Sequence, residues 1–465
     1  MTALATATPA PALRWRSRYA ALRRIARNGE EELRTALGAL ARGLRLEAAA
    51  APTPLFVRRE VAFRSYPTLH PGACATVVTP PDGAYLHTFF DVPPISPSGR
   101  YLAVTRLPFQ HRGPYPGDTA EVCVIDLAER TIETVYHTRG WALQLGANLH
   151  WHPGRDDLLY CNDRIGGRGL GVVIDLSERR ARPLGGPVYA LCPRGRHAFG
   201  PALDLINATQ AGYGVPDPLL GRRRPTTGFA TDEGIWRTDL ESGRCELLVS
   251  VDALLADHPE RALLASGRHS LFHTKVNGTG DRLFQVVRST GLADAPEKVR
   301  AMILTLSAEG DAVRLALPHR LWDRGGHHPS WTPDDETILM NLVPPGGHEM
   351  RFVRFGHDGN GLAELVGGFR GSGHPSLDPT GRLLLTDAYL NEGYGDANGR
   401  APVRLVDLAA GKESQLMLVD SGPPGLKARR VDPHPVWDRK RRRIVLNVML
   451  EQKRQVVLVD LGGSD

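Results

Sequence analysis

ISPSGRYLAV at 95–104, followed by VCVIDL at 122–127, is a phrase that the chain goes on to repeat. A Pro-Ser-Gly turn, whose glycine is free to take positive φ, leads into an alternating apolar run that reads as a half-buried strand. After a loop, a second strand ends in a Val-x-x-Asp-Leu-like phrase. The pair recurs as WHPGRDDLLYC (151–161) with GVVIDL (171–176), CPRGRHAFGPAL (192–203) with GIWRTDL (234–240), and VNGTGDRLFQVV (276–287) with AMILTL (301–306). Three more copies follow: SWTPDDETILMNL (330–342) with MRFVRFG (350–356), SLDPTGRLLLTDA (376–388) with VRLVDL (403–408), and VWDRKRRRIVLNV (436–448) with QVVLVDL (455–461). One such unit cannot bury both of its faces, so the units must stack. Stacked radially, seven of them make an all-β, seven-bladed β-propeller. Residues 55–90 then supply leading strands, such as ACATVV (73–78), that pair with the last unit and leave no open sheet edge.

The rest of the chain fits around this frame. Gly 50 and Pro 36 of 465 residues, with no collagen period, agree with many short strands and turns. Hydrophobic residues at 42% and charged residues at 23% exclude wholesale disorder and a fibrous fold. No run approaches the roughly 18 apolar residues of a transmembrane helix. The net charge of +6 suits an acidic ligand but is too dilute to argue for nucleic acid. Of five cysteines without a C-x-x-C pair, four sit inside strand-like runs and read as buried thiols, and nothing requires an oxidising compartment. Residues 1–54 form a separate helical extension and linker ahead of the propeller (55–465). Leu33, Leu37, Leu40 and Leu44 keep the helical period, and six arginines fall between Arg14 and Arg27. These helices are expected to pack on the main domain or to dock on a partner or second subunit rather than to act as a transit peptide, in a cytoplasmic protein. Repeat spacing runs from about 40 to 84 residues. The excess lies at 204–233, which reads as a loop, and at 252–268, where DALLADHPERALL reads as a short helix; such long loops are where binding is expected.

Three histidines stand just before a turn phrase and are each followed by proline: His328, His374 and His434. In a propeller these equivalent positions converge on the axis, where imidazoles can hold a metal or move protons. His327, beside His328, joins them as a candidate ligand. Further candidates on the same rim are His87, Asp91, Trp141, Gln144, Asn148, Asn162, Asp163, His269, His273 and Asp432. The i,i+4 spacing of His269 and His273 would suit a zinc helix, but H-S-L-F-H lacks the glutamate of a metalloprotease. GGRGLG (166–171) has no following Lys-Ser/Thr, and the absence of G-x-S-x-G removes a serine-hydrolase reading.

LHTFFDVPPISPSGRYLAV, GWALQLGANLHWHPGRDDLLYCND, HSLFH, HHPSWTPDDETILM and RRVDPHPVWDRKRRRIVLNV resemble, in the same order, the propeller-type polysaccharide lyases. These include the oligogalacturonate lyases and, more distantly, the ulvan lyases; the blade phrases alone are also TolB-like. The resemblance spans about 85–461. It implies a lyase that cleaves uronic-acid-containing oligosaccharides by β-elimination, with a divalent metal (manganese, or zinc or calcium) or an arginine neutralising the carboxylate. It places His374 and His434 on ligand histidines, Asp432 on a third ligand position and Arg429 where the family has a glutamine ligand. His328 falls on the proposed base. On chemical grounds Tyr213 is a candidate acid and Arg430 a candidate carboxylate partner. The aromatic content of 6% suits a short acidic oligosaccharide better than a polymer. The alternatives are a lyase-like propeller kept as a sugar-binding or protein-interaction scaffold, and a glycoside hydrolase built on Asp91, Asp163 and Asp432.

Overall fold

Alternating apolar and polar residues give each short strand one face to bury, and the computed structural model shows how the faces are covered. It describes residues 56–210, 212–217, 224–422, 430–440 and 443–462, so the helical reading of 1–54 and Arg429 lie outside the described residues. Seven antiparallel sheets of four or five strands are present among these residues. From inside outward, blade 1 runs Ala84–Leu86, Tyr101–Leu107, Ala120–Asp126, Thr131–Thr138, and blade 5 runs Gly326–Trp331, Thr337–Leu342, Arg351–Gly356, Ala363–Glu364. Blades 2, 3, 4 and 6 repeat this order, opening on His150–Trp151, Ala190–Leu191, Arg268–Val276 and Ser376–Leu377.

The packing proves the circle. Each apolar cluster joins two consecutive sheets: Ala103, Val122 and Trp151 join blades 1 and 2, Phe199, Ile235 and Met302 join 3 and 4, and Phe284, Ile338 and Phe355 join 4 and 5. Tyr160 and Ala198 link blades 2 and 3, Leu339 and Leu384 link 5 and 6, and Leu385 and Ile444 link 6 and 7. Val104 and Cys123 with Val436 and Val445 return from blade 7 to blade 1.

The expected seam exists. Blade 7 contains Val436–Trp437, Arg443–Leu450 and Lys453–Asp460, and its outer edge is supplied by Cys74–Val77 and Arg64–Tyr66. The register sets Cys74 opposite Asp460 and Val77 opposite Val457. Just upstream, Val57–Glu60 pairs with Thr131–Thr138 as a fifth strand of blade 1, so one short segment ties the two ends of the ring.

The long insertions differ in detail from expectation. Leu203–Thr209 is a helix, not loop, because Leu203 and Ile206 share one helix face and bury it against Phe89 and Tyr213. DALLADHPERALL forms two short helices, Val251–Leu254 and Arg261–Leu264. No helix among the described residues is long and apolar enough to cross a membrane.

Candidate functional site

The inner strands share a backbone device. φ is +54° at His273, +56° at His328 and +46° at His434, in blades 4, 5 and 7. Blade 6 takes the left-handed step one residue earlier, at Gly373 (φ +67°), where a Cβ would collide with the Asp387 backbone. In blades 4 and 5 the step coincides with a slip in strand pairing, between Phe272 and Lys275 and between His327 and Ser330. A left-handed non-glycine residue costs about 1–3 kcal/mol, so its recurrence at one level marks an imposed arrangement.

That arrangement gathers imidazoles. The rings of His328 and His374 lie 3.9 Å apart, those of His374 and His434 4.3 Å, and those of His273 and His328 6.5 Å. Beneath them Phe89 packs on His434 at 4.6 Å and stacks on His273 at 5.4 Å, while Phe90 meets His374 at 5.2 Å. Burial holds His273, His328 and His434 well below the ordinary histidine range, and the neighbouring imidazoles add to this in each case. The rings are therefore neutral, the form that accepts a proton or binds a metal.

His374, Asp432 and His434 each offer a ligand atom, all within 4.8 Å of one another. The donor set passes a chemical test of fit to a divalent cation. Both ring nitrogens of His434 are buried with no hydrogen-bond partner among the described residues. The Nδ1–H of His374 donates to Asp387 at 2.9 Å, which leaves Nε2 as its ligand atom. Burial disfavours the Asp387 carboxylate, yet the His374 ring and backbone N–H outweigh it and keep Asp387 below its usual range. Arg430 grips Asp432 through Nε at 2.7 Å and Nη2 at 2.8 Å.

His328 is set for a different task. Its Nδ1 lies 2.8 Å from Gly373 O and 2.8 Å from His327 Nδ1, and Asn341 Nδ2 donates to both of those acceptors. His328 therefore carries its proton on Nδ1, and Nε2 bears the free lone pair. His327 Nε2 faces Glu392 Oε1 at 3.5 Å. Two residues not singled out from sequence complete the mouth. Tyr389 lies with its hydroxyl 3.4 Å from His374 Nε2, and burial, then Asp432 and Asp387, push its phenol well up, so it remains a proton donor. Arg288 lies over Phe272 at 4.4 Å and donates to Gln210, without a carboxylate partner among the described residues. Arg288 lies on the second strand of blade 4 and Tyr389 just after the second strand of blade 6, at the ends of the repeat phrases rather than within them.

Several expected rim residues do other work. Trp141 is fully buried and donates to Asp118 O at 2.8 Å. Asp163 is saturated by Tyr136, Thr138 and the Arg139 and Arg164 amides, and Asn162 bridges to Val188 of the next blade. His269 is tied to Ser289 and Leu264 O and stacks on Phe229. It sits on the strand Arg268–Val276, not on a helix. Gln144 anchors Gly212 through its backbone, beside Tyr213. Asn148 binds Val188 O and Tyr189 O. Asp91 pairs with Lys275, whose ammonium lies over the Phe89 and Phe90 rings. Tyr213 reaches the edge of the cluster, its ring 6.0 Å from His273, and burial raises its phenol. His87 is fully buried, its amide donating to Asn447, and its ring is held down to about 4 by burial.

No family model matches the sequence, and no curated protein is similar at the level required of a match. Among solved structures, the fold is shared with an oligogalacturonate lyase in complex with manganese. That match has 15% identity and a TM-score of 0.61, covering 87% of this chain and 97% of the other. An oligogalacturonate lyase from Vibrio parahaemolyticus matches at 12% identity and a TM-score of 0.62, covering 87% and 98%. At such identities the likeness carries the propeller architecture.

Proposed function

We propose that this protein is a lyase that cleaves short uronic-acid-containing oligosaccharides by β-elimination. The observation that carries the proposal is the packing of three imidazoles, His328, His374 and His434, around one mouth with Asp432 and the half-buried Tyr389. In β-elimination a base removes the proton α to the uronate carboxylate, the C4–O bond breaks as a C4=C5 double bond forms, and the leaving oxygen is protonated. His328 is assigned as base, because its proton sits on Nδ1 and its Nε2 is free. Tyr389 is assigned as the acid that protonates the leaving oxygen, a role for which sequence alone had suggested Tyr213. A divalent cation held by His374, Asp432 and His434 would supply positive charge that acidifies the proton. Arg288, with no carboxylate partner among the described residues, would hold the substrate carboxylate by its guanidinium fork, while Arg430, whose Nε and Nη2 are engaged by Asp432, would add positive charge beside it. The manganese in a structure of the same architecture and the chain's positive charge support this reading. The free thiols of all five cysteines suit a cytoplasmic address.

The test is a panel of galacturonate, glucuronate and mannuronate oligomers, followed by ultraviolet absorbance of the unsaturated product, with and without manganese. Product should appear for at least one oligomer, and His328→Ala should slow it by about 10²–10⁴-fold. A silent panel under both conditions, or full activity in His328→Ala, would refute the assignment and leave a carbohydrate-binding propeller.

A further inference from the structure

Beyond the imidazoles each inner strand continues to the opposite end of the ring, and there a second cavity opens. It has a volume of about 780 Å³. Phe89, Phe90 and His273 form its inner end, and the two phenyl rings also underlie His374 and His434, so the phenyl layer lies between this cavity and that pair of imidazoles. Trp331 and Trp437 stand on its walls, and exposed Pro333 with half-buried Asp335 mark its solvent rim.

Arg439 lines this chamber with a guanidinium that no carboxylate among the described residues neutralises. Among the described residues its protein hydrogen bonding is one long contact, 3.4 Å, from Nη2 to Trp151 O, and Nε is buried without a partner. His150 lies alongside and also lines the cavity. Burial lowers the guanidinium below its ordinary value, a cost that no carboxylate among the described residues offsets. The other cation of the chamber, Lys275, is matched by Asp91, and of the remaining lining carboxylates Asp438 pairs with Arg443 and Asp335 accepts from the Gly278 amide. The chamber therefore holds a guanidinium with unused donors against an aromatic wall, the complement of an anion carried on a flat apolar body.

We propose that this second chamber is a binding site for a small organic anion, a carboxylate or phosphate on an aromatic or aliphatic body, held by Arg439. It lies across the phenyl layer from His374 and His434 and does not depend on the lyase reading.

Calorimetric titration of the full chain with benzoate and with phenyl phosphate tests the proposal, and the stronger of the two identifies the anionic group. At least one should bind, with uncharged benzamide at least tenfold weaker. Arg439→Met should weaken binding at least tenfold, and Ala190→Phe, which fills the chamber from its wall, should do the same. The double variant His328→Ala/His374→Ala should bind as the parent does. Absence of binding by both probes, equal binding of benzamide, or loss in the imidazole variant would each overturn the proposal. Should Arg439→Met fail to fold, unchanged binding in Ala190→Phe would overturn it equally.

Discussion

Replacing Asp387 with Asn alters one buried carboxylate and tests how the imidazole mouth is built. Asp387 is completely buried and accepts two hydrogen bonds from His374, the backbone N–H at 2.7 Å and the ring Nδ1–H at 2.9 Å. Both bonds fall on Oδ1, and Oδ2 lies 3.0 Å from the same Nδ1. An asparagine whose carbonyl takes the place of Oδ1 puts its NH2 group where Oδ2 was, facing Nδ1, which favours the other tautomer, moves the ring proton to Nε2 and occupies the lone pair a metal would use. Restoring the original tautomer leaves a buried donor unmatched, at about 1–3 kcal/mol. That corresponds to a factor of roughly 5–150 in metal affinity, in line with the 10–100-fold typical of such outer partners. Calorimetric titration with Mn²⁺ and Zn²⁺ should show this loss in Asp387→Asn and no binding in His434→Ala. The melting temperature should also fall, since a charge-assisted bond in a dry site is lost. Unchanged affinity in Asp387→Asn, or a parent protein that takes up neither ion, would refute the reasoning.

Other consequences are open to simpler measurements. His328 sits at φ +56°, so His328→Gly should be more stable to urea than His328→Ala by about 1 kcal/mol, because only glycine enters that region without strain. Burial lowers the His150 ring from 6.5 to about 4, so the unfolded chain binds the proton more readily than the folded one. Its contribution is complete above pH 6.5 and is lost as pH falls towards 4; His150→Leu should flatten that loss by about one proton in urea-unfolding profiles. Val77 is buried in the seam, and Val77→Ala should cost about 2 kcal/mol, read by chemical denaturation. A shift below about 0.5 kcal/mol would mean that the seam strand contributes little.

The ring and its seam were legible because seven turn-strand phrases and one surplus strand are countable in a linear text. The His328, His374 and His434 trio was legible for the same reason: equivalent positions in a repeat must meet at the axis. The remaining rim residues were not, since alternation along a strand is reset wherever a left-handed residue or a pairing slip intervenes. Asp163 and His269 look like exposed chemistry in sequence, yet each is consumed by local donors and acceptors that only the fold assembles. Tyr389 and Arg288 escaped notice because they reach the mouth from outside the inner strand. Asp91 is taken up by Lys275, a partner from another blade that no periodicity reveals.

The pairing of Cys74 with Asp460 also has a temporal side. The partner of this early strand is made 386 residues later, which at roughly 5–20 residues per second is about 20–80 s. Throughout that interval the early strand presents an unzipped β-edge, an invitation to stray pairing with neighbours. Its most vulnerable period is thus set by translation speed, and chaperone demand should track how slowly the codons between the two strands are read.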